Sequence, residues 1–349
     1  MFYIHQTTCI SPQSTYMDVD IETLHEFKDN VLRIIEPAYE GMPSNMLRRM
    51  SKIVRIGVGS ALPLINVTSP PNGIIIGTGI GGMEESSKFL DQIIEYDEGL
   101  LTPGDFVQST SSATAALIGM LNNNHSYNVT HVHRGLSFEN AVIDAAMLLN
   151  ENPSNSYLVG GADGVSSYNH HIDERGGWHK KEMVSNASLY TANSPGTISG
   201  EGSAMFLIDN NASQALARLN AVATLHHTDE GAVKTFIADF LNKNLQPGEK
   251  IDLLISGENG DSCLLKYYEA CEELVEEPTA VVRFKHMCGE YPTASSFALW
   301  LATRFLSKQL TIPAHMIKRS GADTGLKNVL IYNTHKGNQH SCMLISSVD

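Results

Sequence analysis

The chain has 349 residues, 42% hydrophobic and 18% charged, which gives enough apolar material for one large unit or two fused halves with a sizeable core. Lys and Arg number 24 against 38 Asp and Glu, a formal charge of −14, and this excess argues against broad nucleic-acid binding and against docking on an anionic membrane. Five scattered cysteines without a CxxC pair indicate neither a zinc site nor a disulfide framework.

The opening MFYIHQTTCISP has no basic region followed by an apolar run, and no apolar stretch reaches the length of a bilayer span. The expectation is a soluble protein of a reducing cytoplasm, without metal or cofactor.

In chain order, Gly73–Gly77 (GIIIG) reads as a buried strand and 84–95 as the helix after it. Residues 128–133 form a short strand. Over 138–149, Phe138, Ala141, Val142, Ala145 and Leu148 share one helical face; Ser137 can cap that helix and Glu139 suits its first turn. Residues 157–160 and 203–208 are further strands. A second block begins near Leu216, with strands at 251–255 and 280–284 and a helix at 294–306. A terminal hairpin follows from 329–332 and 341–345. Alternating strands and helices predict an α/β architecture with covered sheets. The blocks 1–215 and 216–349 read as two variations on one plan, with no low-complexity linker between them.

GTGIGG at 77–82 fits the G-x-G-x-x-G pattern between a strand and a helix. It lies far from the chain start, and no strand ending in Asp or Glu follows about twenty residues on, so a tight turn is the reading rather than a dinucleotide site. The pairs His131/His133, His170/His171 and His226/His227 lack helical i, i+4 spacing with a carboxylate, which favours loop or surface histidines over a metal site. Arg48, Arg49, Lys52 and Arg55 in NMLRRMSKIVR make a basic stripe, with 48, 52 and 55 on one helical face. In an acidic chain this stripe is a candidate dock for an acidic carrier protein; a solvated helix face or a subunit contact is the alternative.

Six segments in order carry a resemblance: PSNMLRRMSKIVRIGV (43–58), GIIIGTGIGGME (73–84), LTPGDFVQSTSSATAALIGML (101–121), LVGGADGVS (158–166), SGEGSAMFLID (199–209) and FKHMCGEYPTAS (284–295). Together they resemble the β-ketoacyl synthases. The flavour is that of the divergent ketosynthase-like proteins of bacterial flexirubin and aryl-polyene pathways, some of which resemble chain length factors. The resemblance implies a thiolase-like fold, two similar halves forming a layered αβαβα arrangement.

It also implies where chemistry should sit. The family carries a nucleophilic Cys at a strand-to-helix turn, where the helix N-terminus lowers the thiol pKa and backbone N–H groups hold an oxyanion. Counting back from Gly160-Gly161 without a gap puts Gly135 there. Ser111, before another small-residue helix, leaves too long a spacing, and Ser109 and Ser111 read as turn or capping residues; Ser112 falls where the family has Asn. Of the family's two histidines, one position falls near Ser256 in ISGENGD (255–261). The other, after Lys285 and Gly289, holds Glu290. The Gly-rich C-terminal loop reads NTHKGNQH (333–340). Lys285 and Glu201 fit the family pattern and suit structural charge pairing.

Catalytic residues act as a unit, so three losses imply no ordinary condensation. The resemblance therefore implies a noncatalytic, chain-length-factor-like partner of an active ketosynthase, in polyene- or fatty-acid-type synthesis. Such a chain would be a homodimer or a heterodimer with a ketosynthase and could meet acyl carrier protein. The alternatives are an acyltransferase or condensing enzyme with a displaced nucleophile, for which Cys288 is the candidate thiol, and a structural homodimer.

Overall fold

The computed structural model describes residues 2–65, 70–275, 278–321 and 325–348. Its strands are β1 (Phe2–Ile10), β2 (Gly73–Gly77), β3 (Tyr127–His131), β4 (Tyr157–Asp163), β5 (Gly202–Asp209), β6 (Ala217–His226), β7 (Leu253–Ser256), β8 (Ala280–Arg283), β9 (Ile317–Arg319), β10 (Asn328–His335) and β11 (Gln339–Ser346). The helices are α1 (Ser44–Leu47), α2 (Lys52–Ile65), α3 (Met83–Glu95), α4 (Pro103–Gln108), α5 (Ala113–Leu121), α6 (Ser137–Glu151), α7 (Ser167–Arg175), α8 (Glu230–Asn244), α9 (Leu265–Glu272), α10 (Lys285–Cys288) and α11 (Ser295–Leu306).

The strand pairing occurs twice. β3, β2 and β4 run parallel, and β5 then β1 join antiparallel. β8, β7 and β10 run parallel, and β11 then β6 join antiparallel. β1 and β6 link the two arrays, Phe2 opposite Leu219, so the described residues form one sheet in the order β3-β2-β4-β5-β1-β6-β11-β10-β7-β8-β9. Helices α6 and α11 touch each other and strands of both arrays; α2 and α5 cover the first array, and α8 and α9 the second. This is the thiolase-like αβαβα layering.

Sequence explains the layers. Every residue of β2 is buried, as expected of a strand covered on both faces. On α11 only Arg304 escapes full burial, so an all-round apolar helix becomes the central layer. Trp300 stacks on Phe297 there at 5.7 Å. Helix α6 buries Phe138, Ala141, Val142 and Ala145 as the spacing predicts, with Leu149 rather than Leu148 completing the stripe.

One local expectation is corrected and another is borne out in an unexpected setting. Ser137 is the first residue of α6 and not its cap; its Oγ donates to the Arg134 carbonyl at 2.8 Å and accepts from the His133 N–H at 2.7 Å. Glu139 does lie in the first turn, but fully buried, accepting from Ser341 Oγ of β11 at 2.8 Å. β1 and β6 were not foreseen, because FYIHQTTCI and ARLNAVATLH mix polar and apolar residues without a clean period of two.

Candidate functional site

The turn between β3 and α6 is where a nucleophile is expected. Arg134–Leu136 form a 3₁₀ turn, entered through Arg134 at φ +50°. The Gly135 N–H donates to Gln339 Oε1 at 2.9 Å, and Gln339 Nε2 donates to the His133 carbonyl at 3.3 Å, tying the turn to the C-terminal hairpin. Gly135 is buried with no room above it. A Cβ built there lies 2.1 Å from His335 Cβ and 2.5 Å from its Cγ, closer than packed atoms approach.

Glu290 stands beside it. Lys285 Nζ donates to Glu290 Oε1 at 2.9 Å, Asn259 Nδ2 donates to Oε2 at 3.0 Å, and His335 Nδ1 lies 3.7 Å from Oε1. Burial opposes ionisation of this carboxyl, but the Lys285 ammonium and His335 outweigh it and hold it at about 2, so it is a carboxylate at neutral pH. Ser256, at the end of β7, is buried and closes its own loop by accepting from the Glu258 N–H at 3.3 Å. Glu258 in turn takes Arg283 at 3.0 Å and Lys318 at 2.7 Å. Residue types at 256 and 259 exchange their expected importance: Asn259, not Ser256, reaches Glu290. Asn259 and His335 were not among the candidates; they lie inside the two altered loops, ISGENGD and NTHKGNQH, the signal that could have found them.

Lys285 and Glu201 belong to separate pairs. Buried Glu201 accepts from Lys52 Nζ and from the N–H groups of Ile34 and Val165, both at 3.0 Å. Cys288 is fully buried, and its thiol donates to the Gly289 carbonyl at 3.3 Å. Burial pushes that thiol well above its ordinary range despite Lys285, the reverse of a nucleophile's environment.

The basic stripe is not one helical face, because α1 ends at Leu47 and α2 starts at Lys52. Lys52 is engaged by Glu201 and Arg55 by Glu36, while Arg48 and Arg49 are exposed. Among the described residues no histidine pair belongs to a metal-type cluster: His131 Nε2 bonds Asp144 at 2.8 Å, and His170 stacks on His179.

Gly135's turn, Glu290 and His335 border one cavity of about 550 Å³. Asp163, at the end of β4, frames it. Its carboxylate accepts from Thr78 Oγ1 and the Gly79 N–H at 2.9 Å, and from Thr293 Oγ1 at 2.8 Å, which fixes the 77–82 turn against the 290–293 loop. Gly81 needs its φ of +59° for that turn, the role expected of the glycine motif. The cavity thus has a fixed carboxylate at Glu290, and backbone at Gly135 beside it, the positions where the resemblance implies a histidine and a nucleophile.

The family described as β-ketoacyl synthase, N-terminal domain, matches residues 28–233, more than half of the sequence. The chain belongs to the β-ketoacyl synthase family. Solved structures similar to this ketosynthase-like chain include the ishigamide ketosynthase/chain length factor, with 12% identity, a TM-score of 0.79 and coverage of 100% of this chain and 99% of that one. A ketosynthase (ApeO) in complex with its chain length factor (ApeC) from Xenorhabdus doucetiae gives 16%, 0.77, 99% and 98%. A type II polyketide ketosynthase complex with its acyl-carrier protein, AntDE:AntF, gives 13%, 0.73, 99% and 99%. At these identities the likeness is one of fold. No curated protein matches the sequence. Among the described residues no helix is long and apolar enough to cross a membrane.

Proposed function

We propose that this ketosynthase-like chain is a noncatalytic, chain-length-factor-like partner of an active ketosynthase, in polyene- or fatty-acid-type synthesis. One observation carries the reading: at the nucleophile's turn, Gly135 faces His335 with no space for any side chain. The ionised Glu290 supports it, since a fixed negative charge opposes the enolate that decarboxylation produces. The buried thiol of Cys288 gives the displaced-nucleophile alternative no support.

Pairing has a surface available. β3 is an edge strand, an element that invites covering. Around it Met120 of α5, Val132 and Met147 of α6 are exposed, each by more than half. The similar structures include a ketosynthase in complex with its chain length factor, which supports a ketosynthase as the partner we assign to this face.

The test is purification of the tagged full chain from its native host, followed by incubation with an acyl thioester and intact-mass analysis. The expected result is a stoichiometric heterodimer in which the other subunit gains the acyl mass and this chain does not. An acyl adduct on this chain, or a chain that stays unpaired at micromolar concentration, overturns the reading.

A further inference from the structure

One wall of the cavity is built by α7 and the loop after it, away from Gly135. Ser166 precedes α7, yet its hydroxyl makes no capping bond to the helix. Ser166 Oγ, His170 Nδ1 and His179 Nδ1 are buried atoms with no hydrogen-bond partner among the described residues, and all three residues line the cavity. Ser166 is 4% exposed and His179 8%. The two imidazoles stack with centroids 4.6 Å apart. Burial keeps both neutral: it lowers His170, and with His170 alongside it pushes His179 down to about 4.

Native interiors leave few such groups unpaired, so these three take their partners from whatever fills the cavity, water or a ligand. On this wall Asp173 is matched by Lys336 at 2.5 Å, and Glu290 is matched by Lys285; Arg134 and Asp261 also line the cavity, but from other loops. The wall is therefore polar and uncharged. A neutral imidazole offers one donor and one acceptor, and Ser166 offers both.

We propose that this cavity receives an oxygenated acyl chain, one bearing hydroxyl or keto groups, and discriminates against the saturated chain of the same length. The inference rests on the proposed function and adds to it that the site holds an acyl chain without reacting with it. A saturated chain that displaces water leaves the three groups unpaired, whereas hydroxyl or keto oxygens replace the hydrogen bonds that water made. A carboxylate gains no cation from this wall.

The probes are octanoyl pantetheine and its dihydroxylated counterpart, titrated into the isolated full chain by calorimetry. The dihydroxylated probe should bind roughly tenfold tighter or more, the scale of one hydrogen-bonded group left unpaired. Ser166→Ala combined with His179→Phe should erase the difference and leave octanoyl affinity unchanged or improved; thermal melting checks that the variant folds, and Ser166→Ala alone should shrink the preference if the double variant does not. Equal binding of the two probes, no binding of either, or a preference that survives in a folded double variant overturns the proposal. Pairing with a ketosynthase is read in a separate experiment. Intact pairing without ligand preference sinks this inference alone, and preference without pairing sinks the partner reading alone.

Discussion

Lys285 Nζ lies 2.9 Å from Glu290 Oε1, and both side chains are buried. They are five positions apart, and Gly289 at φ +72° makes the turn that brings them together. Losing one member strands the other charge, at a cost of about 3–5 kcal/mol in comparable buried pairs. Glu290→Gln should therefore lower the unfolding free energy by an amount in that range, measured by urea denaturation at neutral pH. Lys285→Met added to Glu290→Gln should recover much of it, because the stranded charge is then gone. Additive losses in the double variant would show that the pair does not act as a unit.

The same pair sets a pH dependence. Glu290 is held at about 2, below its ordinary 4.5. A depressed folded pKa gives stability that is fully present above the unfolded pKa and is lost as pH falls through the folded one. Denaturation midpoints of the native protein and Glu290→Gln should thus differ most at and above about pH 5 and converge toward about pH 2. A gap that widens on acidification would contradict the ion pair.

Gly135→Cys tests the site by overfilling it. A thiol at the N-terminus of α6 would gain about 0.3–1 kcal/mol for its anion from the helix dipole. The Cβ it needs, however, lies 2.1 Å from His335 Cβ. The single variant should lose about 1–3 kcal/mol of stability through overpacking. Combined with His335→Gly it should regain stability and react with a small alkylating reagent. Neither variant should form a ketoacyl product, which mass spectrometry would reveal, because Glu290 still occupies the site.

The four basic residues should divide into two pairs. Lys52 is the partner of buried Glu201, so Lys52→Ala should lower the melting temperature clearly more than Arg48→Ala. Arg48→Glu with Arg49→Glu should leave the melting temperature nearly unchanged, since both residues are exposed. If a carrier protein docks here, that charge reversal should weaken its binding about tenfold or more and lower the salt dependence, read by fluorescence titration. Unchanged carrier binding would assign the patch to solvent.

Met120→Glu and Met147→Glu place charges on the exposed apolar groups beside β3. Each should weaken pairing with a ketosynthase by about tenfold or more in light scattering, with the fold intact by circular dichroism. Pairing unaffected by both would move the interface elsewhere.

What the sequence determined by itself was the set of locally specified parts. Buried runs such as GIIIG and the apolar spacing of 138–149 mark their elements without help from the rest of the chain, since strand and helix periods are local properties. The order of motifs identified the family, and counting along the chain is the sole basis for setting Gly135 and Glu290 at the nucleophile and histidine positions. Tertiary structure decided the pairings. Asn259 rather than Ser256 meets Glu290, Lys285 pairs with Glu290 and Glu201 with Lys52, and His335 fills the space above Gly135. Those partners come from different strands and loops, up to 200 positions apart for Gly135 and His335. A local turn at Gly289 brings Lys285 within a few ångströms of Glu290, folding within each array brings Lys52 to Glu201 and Asn259 to Glu290, and only closure of the two arrays across β1 and β6 sets His335 over Gly135. Hydrogen-bond and ion-pair geometry is settled at that range, and chain spacing carries no record of it.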